Sequence, residues 1–238
     1  MNNQSEGSDK DIFKPSGPAS LYVYFIGPNP LTSFNPTSIA PSIDPSSFIG
    51  PFSVIIGDVT IGQNVFIAPN VVIRADEGTP FHVGSNTNLQ DGVILHGLKD
   101  GRILVDDREY SIFIGDNVSC THGCIIHGPC RVDNNVFVGF NAIVFNAIIG
   151  EGSYISANAL VAEGVKIAPN RFVPARAIID TQTKANALVP VTAAQEEFAA
   201  EVLHVNQEFP AAYLLMFGSI RCSCGLACDP ESLKELNR

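Results

Sequence analysis

The sequence predicts an all-β solenoid, a parallel β-helix of hexapeptide repeats followed by a C-terminal α-helix. Three observations carry this reading. Aliphatic residues recur every six positions from Ile55 to Ile179. Neither the helical period of about 3.6 nor the strand period of 2 produces such a step. Small and turn-forming residues (Gly57, Gly62, Asn64, Gly84, Gly115, Asn117, Gly139, Gly150) punctuate the same repeat, as the corners of a coil require. A fixed hexad is the signature of a β-helix, in which each repeat makes one short strand and one turn. An ordinary β-sandwich, the alternative, has loops of unequal length and does not hold this period.

The leading series runs Ile55, Ile61, Ile67 and Ile73, resumes at Val83, Leu89 and Leu95, and resumes again at Ile114, Cys120, Ile126, Val132, Val138 and Val144. After one slip it continues as Ile149, Ile155, Val161, Ile167, Val173 and Ile179. Companion series sit two residues earlier: Val59, Val65 and Val71, then Ile112, Val118, Cys124, Cys130, Val136 and Ala142. Three hexads close one coil of a triangular prism, and each inward side chain stacks on its equivalent one coil later. Two interruptions break the period. The step from Ile73 to Val83 carries its excess in residues 75–80, and the step from Leu95 to Ile114 carries its excess in residues 98–110. A solenoid accommodates such segments as loops leaving a corner, where function often resides.

Past Ile179 the pattern becomes helical. Thr192-Ala-Ala-Gln195 has the form of a capping box. Phe198, Val202, Val205 and Phe209 then share one helical face. Pro210 is expected to limit that helix, leaving Ala211–Phe217 as a second apolar segment. The domain reading is therefore a mobile N-terminal tail over 1–20, the solenoid with its helix over 21–220, and a Cys-rich tail over 221–238.

Composition narrows the function classes. The chain has 238 residues, 14 Lys and Arg against 24 Asp and Glu, and a net charge of −10. That balance argues against a general nucleic-acid or anionic-membrane binder. With 45% hydrophobic and only 16% charged residues, the chain is too apolar for disorder. No apolar run reaches the roughly 18 residues of a membrane span. Residues 1–20 lack the apolar region of a secretory signal, so a cytoplasmic location is expected. In that compartment the six Cys read as free thiols, metal ligands or a redox device before structural disulfides.

The period also locates the histidines. With the insertions removed, Ile73, Leu95 and Ile126 fall on a first face, Val83 and Ile114 on a second, and Leu89 and Cys120 on a third. His96 and His127 each follow a first-face residue and share one column, with Arg74 one coil earlier. Adjacent rungs are about 4.8 Å apart. His122 lies on the third face with Asp91 one coil below. A third-face residue reaches the first-face column only from another prism, so the arrangement predicts a cyclic trimer with a site at each interface. Three imidazoles leaving one open position form a catalytic zinc arrangement. His82 has no partner in the register and reads as a surface residue.

Three segments carry a resemblance: Arg74-Ala-Asp-Glu-Gly-Thr-Pro-Phe-His-Val-Gly84, Asn88-Leu-Gln-Asp-Gly-Val-Ile-Leu-His96 and Thr121-His-Gly-Cys-Ile-Ile-His-Gly-Pro129. Together they resemble the γ-class carbonic anhydrases, and within that family the carbonic-anhydrase-like domains of cyanobacterial carboxysome assembly proteins. The resemblance implies a left-handed β-helix, a homotrimer and reversible hydration of CO2 to bicarbonate by metal-bound hydroxide. His96, His122 and His127 would hold Zn2+, with Fe2+ or Co2+ as alternatives. Gln90 would orient water or bicarbonate, Glu77 would accept the proton, and Asn206 would stand near the substrate. Arg74 and Asp91 would pair across the interface, with Asp76 as a further structural contact. The implied partners are CO2 and bicarbonate, other copies of the chain, and carboxysome shell or scaffold proteins. The implied location is the carboxysome.

Two departures from the family pattern fall on proton transfer. His204 stands where the archetypal enzymes carry Tyr two residues before the helix Asn. The 98–110 insertion offers Asp100, Asp106, Asp107 and Glu109 without an alignable shuttle glutamate. Cys222 and Cys228, spaced six apart around Gly225, are expected to form a disulfide that switches activity, a pairing that similarly placed cysteines in the family support. Rival readings are a catalytically weak metal-binding scaffold and a CoA-dependent acyltransferase, the other common user of hexapeptide coils.

Overall fold

Each hexad contributes two or three extended residues and then a turn, because an inward aliphatic is followed by a residue that tolerates left-handed backbone. Asn64, Asn86, Asn117 and Asn135 all sit at positive φ, between 51° and 58°, on the corner between the second and third faces. Asparagine adopts that region more readily than other residues bearing a Cβ. The computed structural model describes residues 25–217, and over these the coils stack into a parallel β-solenoid.

The first face is built from Phe25–Gly27, Val54–Gly57, Val72–Ala75, Ile94–Gly97, the first halves of Ile125–Val132 and Ile143–Ile149, Leu160–Val161 and Ile178–Ile179. Their register places Ile55, Ile73, Leu95, Ile126, Val144, Val161 and Ile179 in one inward column. Every residue of the leading and companion series is buried. Full burial stabilises each Val, Leu or Ile by about 1.5–3 kcal/mol, so the core is the repeat itself. Cys120, Cys124 and Cys130 belong to it as free thiols. Burial holds the Cys130 thiol up at about 12, which leaves it inert.

The slip between Val144 and Ile149 has a local cause. His127 pairs with Phe145, but Cys130 pairs with Ala147. The strand Ile143–Ile149 turns the corner between the first and second faces with one residue fewer than the strand below it.

Both insertions leave that same corner. The longer one forms a hairpin in which Ile103–Val105 pairs antiparallel with Arg108–Tyr110. Asp106 and Asp107 at its tip both have positive φ, 46° and 65°, the geometry of a two-residue hairpin turn whose twist matches its strands.

A short helix, α1 (Gln182–Asn186), was not signalled by the repeat, and α2 (Ala193–Phe217) follows. The Thr192 N–H donates to Gln195 Oε1 at 2.8 Å, the side-chain half of the expected capping box. Pro210 does not limit the helix; it lies inside α2 and is buried. An interior proline costs roughly 3 kcal/mol, and packing on both sides of it opposes that cost. Phe209 meets Phe66 with ring centroids 5.0 Å apart, and Tyr213 stacks on Phe48 at 4.9 Å. The expected apolar face is only partly covered: Phe198 and Val205 remain 42% and 46% exposed, and Asn206 and Pro210 turn inward instead. α2 lies on the third face and runs against the direction of the coils, with Phe198 over Phe137 and Tyr213 over Phe48. The tails 1–20 and 221–238, with Cys222 and Cys228, lie outside the described residues.

Candidate active site

Two clusters of the expected site residues stand on different faces. On the first, strand register sets Arg74, His96 and His127 side by side on successive coils. His96 Nδ1 is 3.3 Å from His127 Nε2, and Arg74 Nη2 is 3.1 Å from His96 Nε2. A guanidinium only donates, so His96 Nε2 accepts from Arg74 and Nδ1 carries the proton toward His127. His127 Nδ1 faces the Gly128 carbonyl at 3.3 Å, which leaves Nε2 to accept from His96. Burial, then the nearby Arg74 charge, hold the His96 pKa below its usual 6.5, favouring the neutral imidazole that a metal requires.

The shorter insertion closes over this column. Asp76 Oδ1 lies 3.4 Å and Glu77 Oε2 3.7 Å from His96 Nε2. Asp76 also pairs with Arg74 at 3.4 Å. Glu77 Oε1 accepts from the Lys99 N–H at 3.1 Å. Asp76 Oδ1 is buried without a hydrogen-bond partner. A buried carboxylate oxygen left unpaired is costly, and here it faces the His96 ring.

The second cluster stands at the corner leaving the third face. Asp91 Oδ2 meets His122 Nδ1 at 3.0 Å, and Phe140, one coil above, stacks on the His122 ring with centroids 5.6 Å apart. Gln90 is buried and donates to Asn88 Oδ1 at 3.0 Å, while Asn88 donates to Ser119 Oγ at 2.8 Å. α2 brings Asn206 into the same cleft of about 410 Å³ as Gln90, Asp91 and His122. Its amide donates to the Val202 carbonyl at 2.8 Å.

Among the described residues, no three His, Cys, Asp or Glu of one chain converge as a metal site. The structure brings His96, His127, Arg74, Asp76 and Glu77 together, and separately Gln90, Asp91, His122 and Asn206. Within the chain Arg74 pairs with Asp76 and Asp91 with His122. The donor set nonetheless fits a divalent metal. His122 and His127 each have Nδ1 against an acceptor, the arrangement that presents Nε2 to a metal; within the chain the Nε2 of His127 meets only the His96 ring N–H. His204 points away, with Nε2 3.5 Å from Glu208. His82 is not a bare surface residue: it is half-buried and stacks on Phe113 at 4.9 Å. Sequence reasoning missed Asn88 and Phe140. Asn88 lies two positions before Gln90 on the same strand end, a spacing that could have flagged it.

Residues 40–75 match the bacterial transferase hexapeptide (six repeats) family model. The chain is 38% identical to a carbonic anhydrase of Methanosarcina thermophila, over 78% of this chain and 79% of that one. The chain belongs to the γ-class carbonic anhydrase family. It is also 47% identical, over 84% of its length, to the carboxysome assembly protein CcmM of Nostoc sp., of which it spans only 36%. Among solved structures, a hexapeptide transferase family protein from Anaplasma phagocytophilum superposes with a TM-score of 0.60 at 28% identity, covering 74% of this chain and 94% of that one. This γ-class carbonic anhydrase relative thus shares its coil with a protein named as a hexapeptide transferase. No helix among the described residues is long and apolar enough to cross a membrane.

Proposed function

We propose that this chain catalyses the reversible hydration of CO2 to bicarbonate and a proton, at sites shared between copies of itself in a cyclic trimer. The carrying observation is that the two half-sites are complementary and incomplete. His96 and His127 present a ligand pair on one face, and His122 presents the third imidazole on another. An apolar stripe beside the histidine column supports assembly. Phe25, Val54, Val72, Ile94, Ile125, Ile143, Leu160 and Ile178 stand in register along the outside of the first face. Ile94, Ile143 and Ile178 remain 37%, 37% and 55% exposed. A continuous apolar surface of this kind marks an interface.

In this reading His96, His127 and a neighbour's His122 hold a divalent metal, zinc by the donor set, with iron or cobalt as alternatives. Such an ion, when bound, makes hydroxide available near neutral pH by acidifying water. Gln90, fixed by Asn88, offers its carboxamide oxygen to orient water or bicarbonate. Asn206 shapes the substrate side of the cleft. Glu77 takes the released proton at Oε2 and, being 39% exposed, hands it to solvent. Arg74 and Asp91 pair across the interface once the copies meet. The names of the CcmM relatives, carboxysome assembly proteins, support a carboxysome location, and the Cys222–Cys228 disulfide expected from the sequence would couple the activity to an oxidising interior.

Complementation tests the shared site. His122→Ala and His127→Ala chains are each expected to be inactive in stopped-flow CO2 hydration. Mixed trimers are expected to recover activity, because a site built from the intact halves of both is complete. Mixed trimers as inactive as their parents would reject the shared site. A second reading, a metal-binding scaffold with weak or no catalysis, is favoured by the name of the Nostoc relative, a carboxysome assembly protein. Wild-type trimer loaded with metal but lacking hydration activity would decide for it.

A further inference from the structure

The segment preceding the first full coil forms a strap closed at its neck by Asn29. The Asn29 amide donates to the Thr37 carbonyl at 3.0 Å, its Oδ1 accepts from the Ile39 N–H at 2.9 Å, and its carbonyl accepts from the Ser38 hydroxyl at 2.8 Å. Asn29 is only 4% exposed. Closed loops of this size, with both ends pinned together, hold a defined shape. Near the strap's tip a tight turn forms, in which the Asn35 N–H donates to Thr32 Oγ1 at 2.9 Å and the Thr32 N–H donates to the Asn35 carbonyl at 3.0 Å. That turn aims the Asn35 side chain across to the acidic insertion. Its Nδ2 donates to the carbonyls of Asp76 and Glu77, at 2.9 and 3.2 Å. Asn35 is 8% exposed, so water competes little for these bonds.

We infer that Asn35 is a positioning residue for the acidic loop: its amide clamps the backbone of Asp76 and Glu77 so that both carboxylates face His96. Only a side chain with two N–H groups on one atom can serve both carbonyls at once. The loop carrying Asp76 and Glu77 is an insertion outside the hexad period; the coil holds its far end, where the Gly78 N–H donates to the Gly97 carbonyl at 3.0 Å, and leaves the Asp76 and Glu77 carbonyls to another partner. The strap supplies that partner from a point 41 residues away. The inference rests on the proposed reading for the role of Glu77, while the clamp itself does not.

Two measurements separate these. Amide exchange followed by mass spectrometry reads the loop directly: Asn35→Ala should speed exchange over residues 75–79 and leave the coils unchanged. Stopped-flow CO2 hydration reads its consequence. Release of bicarbonate precedes export of the proton, so displacement of Glu77 should lower kcat roughly tenfold, the usual scale when a group that holds a site residue in place is lost, with kcat/KM within twofold. Added imidazole, a soluble proton acceptor, should restore kcat, which a merely structural defect would not permit. Asn35→Asp preserves the shape, replaces the donor by acceptors that repel both carbonyls, and should behave in the same way if the alanine variant folds poorly. Unchanged exchange in the loop overturns the clamp. Faster exchange with unchanged kcat, or a kcat loss that imidazole does not restore, overturns the positioning role. Inactive wild-type protein would refute the hydration reading alone, with the exchange result still deciding the clamp.

Discussion

Asp91 Oδ2 lies 3.0 Å from His122 Nδ1, and this contact leaves Nε2 as the ring nitrogen of an exposed histidine that the proposed trimer would use. The imidazole is fixed by the carboxylate one coil below and by the Phe140 ring one coil above. A ligand offered to a neighbouring chain must be held by its own chain before that neighbour arrives. The same carboxylate is the one the interface reading gives to Arg74, so assembly would draw Asp91 between two cationic or polar partners.

Removal of the third ligand should empty the metal site without unfolding the coil. His122→Ala is expected to lose most of its metal by elemental analysis, with its circular dichroism and melting temperature close to wild type. The core beneath it is aliphatic and untouched. Full retention of metal would sink the interface arrangement.

Gln90 and Arg74 should fail in different ways. Gln90→Ala removes a buried carboxamide and should slow hydration roughly tenfold to a hundredfold, with metal content and trimer mass unchanged. Arg74→Ala removes the partner that the interface reading gives Asp91, whose carboxylate assembly would bury, and should weaken the trimer. Light-scattering mass across a dilution series distinguishes the two, and an undisturbed Arg74→Ala trimer would reject the interfacial ion pair.

The apolar stripe gives a direct handle on assembly. Ile143 faces outward, is 37% exposed, and lies in register with Ile125 below and Leu160 above. Ile143→Asp should yield a folded monomer in sedimentation velocity, without metal and without hydration activity. A trimer of normal stability would show that copies meet through some other surface.

His82 should contribute to acid sensitivity. Burial pushes its pKa below the usual 6.5, against a smaller upward pull from Asp116. The native state therefore binds this proton less tightly than the unfolded chain does. Stability is expected to fall as pH drops below about 6.5 and to level once the native pKa is passed. In His82→Phe, urea midpoints measured from about pH 7 to about pH 5 should decline less steeply. An unaltered slope would mean that the buried ring costs nothing on protonation.

The tail cysteines make a redox prediction that rests on sequence alone. Cys228→Ser, or strong reductant on the wild type, should lower hydration activity while circular dichroism stays constant. Closing so short a loop contributes only about 2–3 kcal/mol, too little to hold or release the solenoid. Equal activity in both redox states would return Cys222 and Cys228 to inert thiols.

The solenoid was legible because its physics is one-dimensional. Every inward residue repeats one contact, so Ile55 to Ile179 declare themselves by period alone. The His96–His127 column and the Asp91–His122 step followed from counting along that ruler. What lay outside the ruler was opaque. Pro210 reads as a helix terminator until Phe48 and Phe66 are in place to pack Phe209 and Tyr213 around it. Asn35 gives no local signal, because its partners lie across the fold. Asn88 hides among corner polar residues, and only its bond to Gln90 reveals its part.

The antiparallel course of α2 fixes how this architecture can change length. The helix advances about 1.5 Å per residue and the coil stack about 4.8 Å per rung, so roughly three helix residues span one coil. Asn206 shares a cleft with Gln90 because the rise of the helix from Asn206 back to Phe198, about 12 Å, is close to that of the rungs from Gln90 up to Phe137, about 10 Å. A homologue that gained or lost a coil within that interval would slide one half of the cleft past the other unless α2 changed by about three residues in step. Repeat copy number, freely variable in most solenoids, is here geared to the helix like a rack to its pinion.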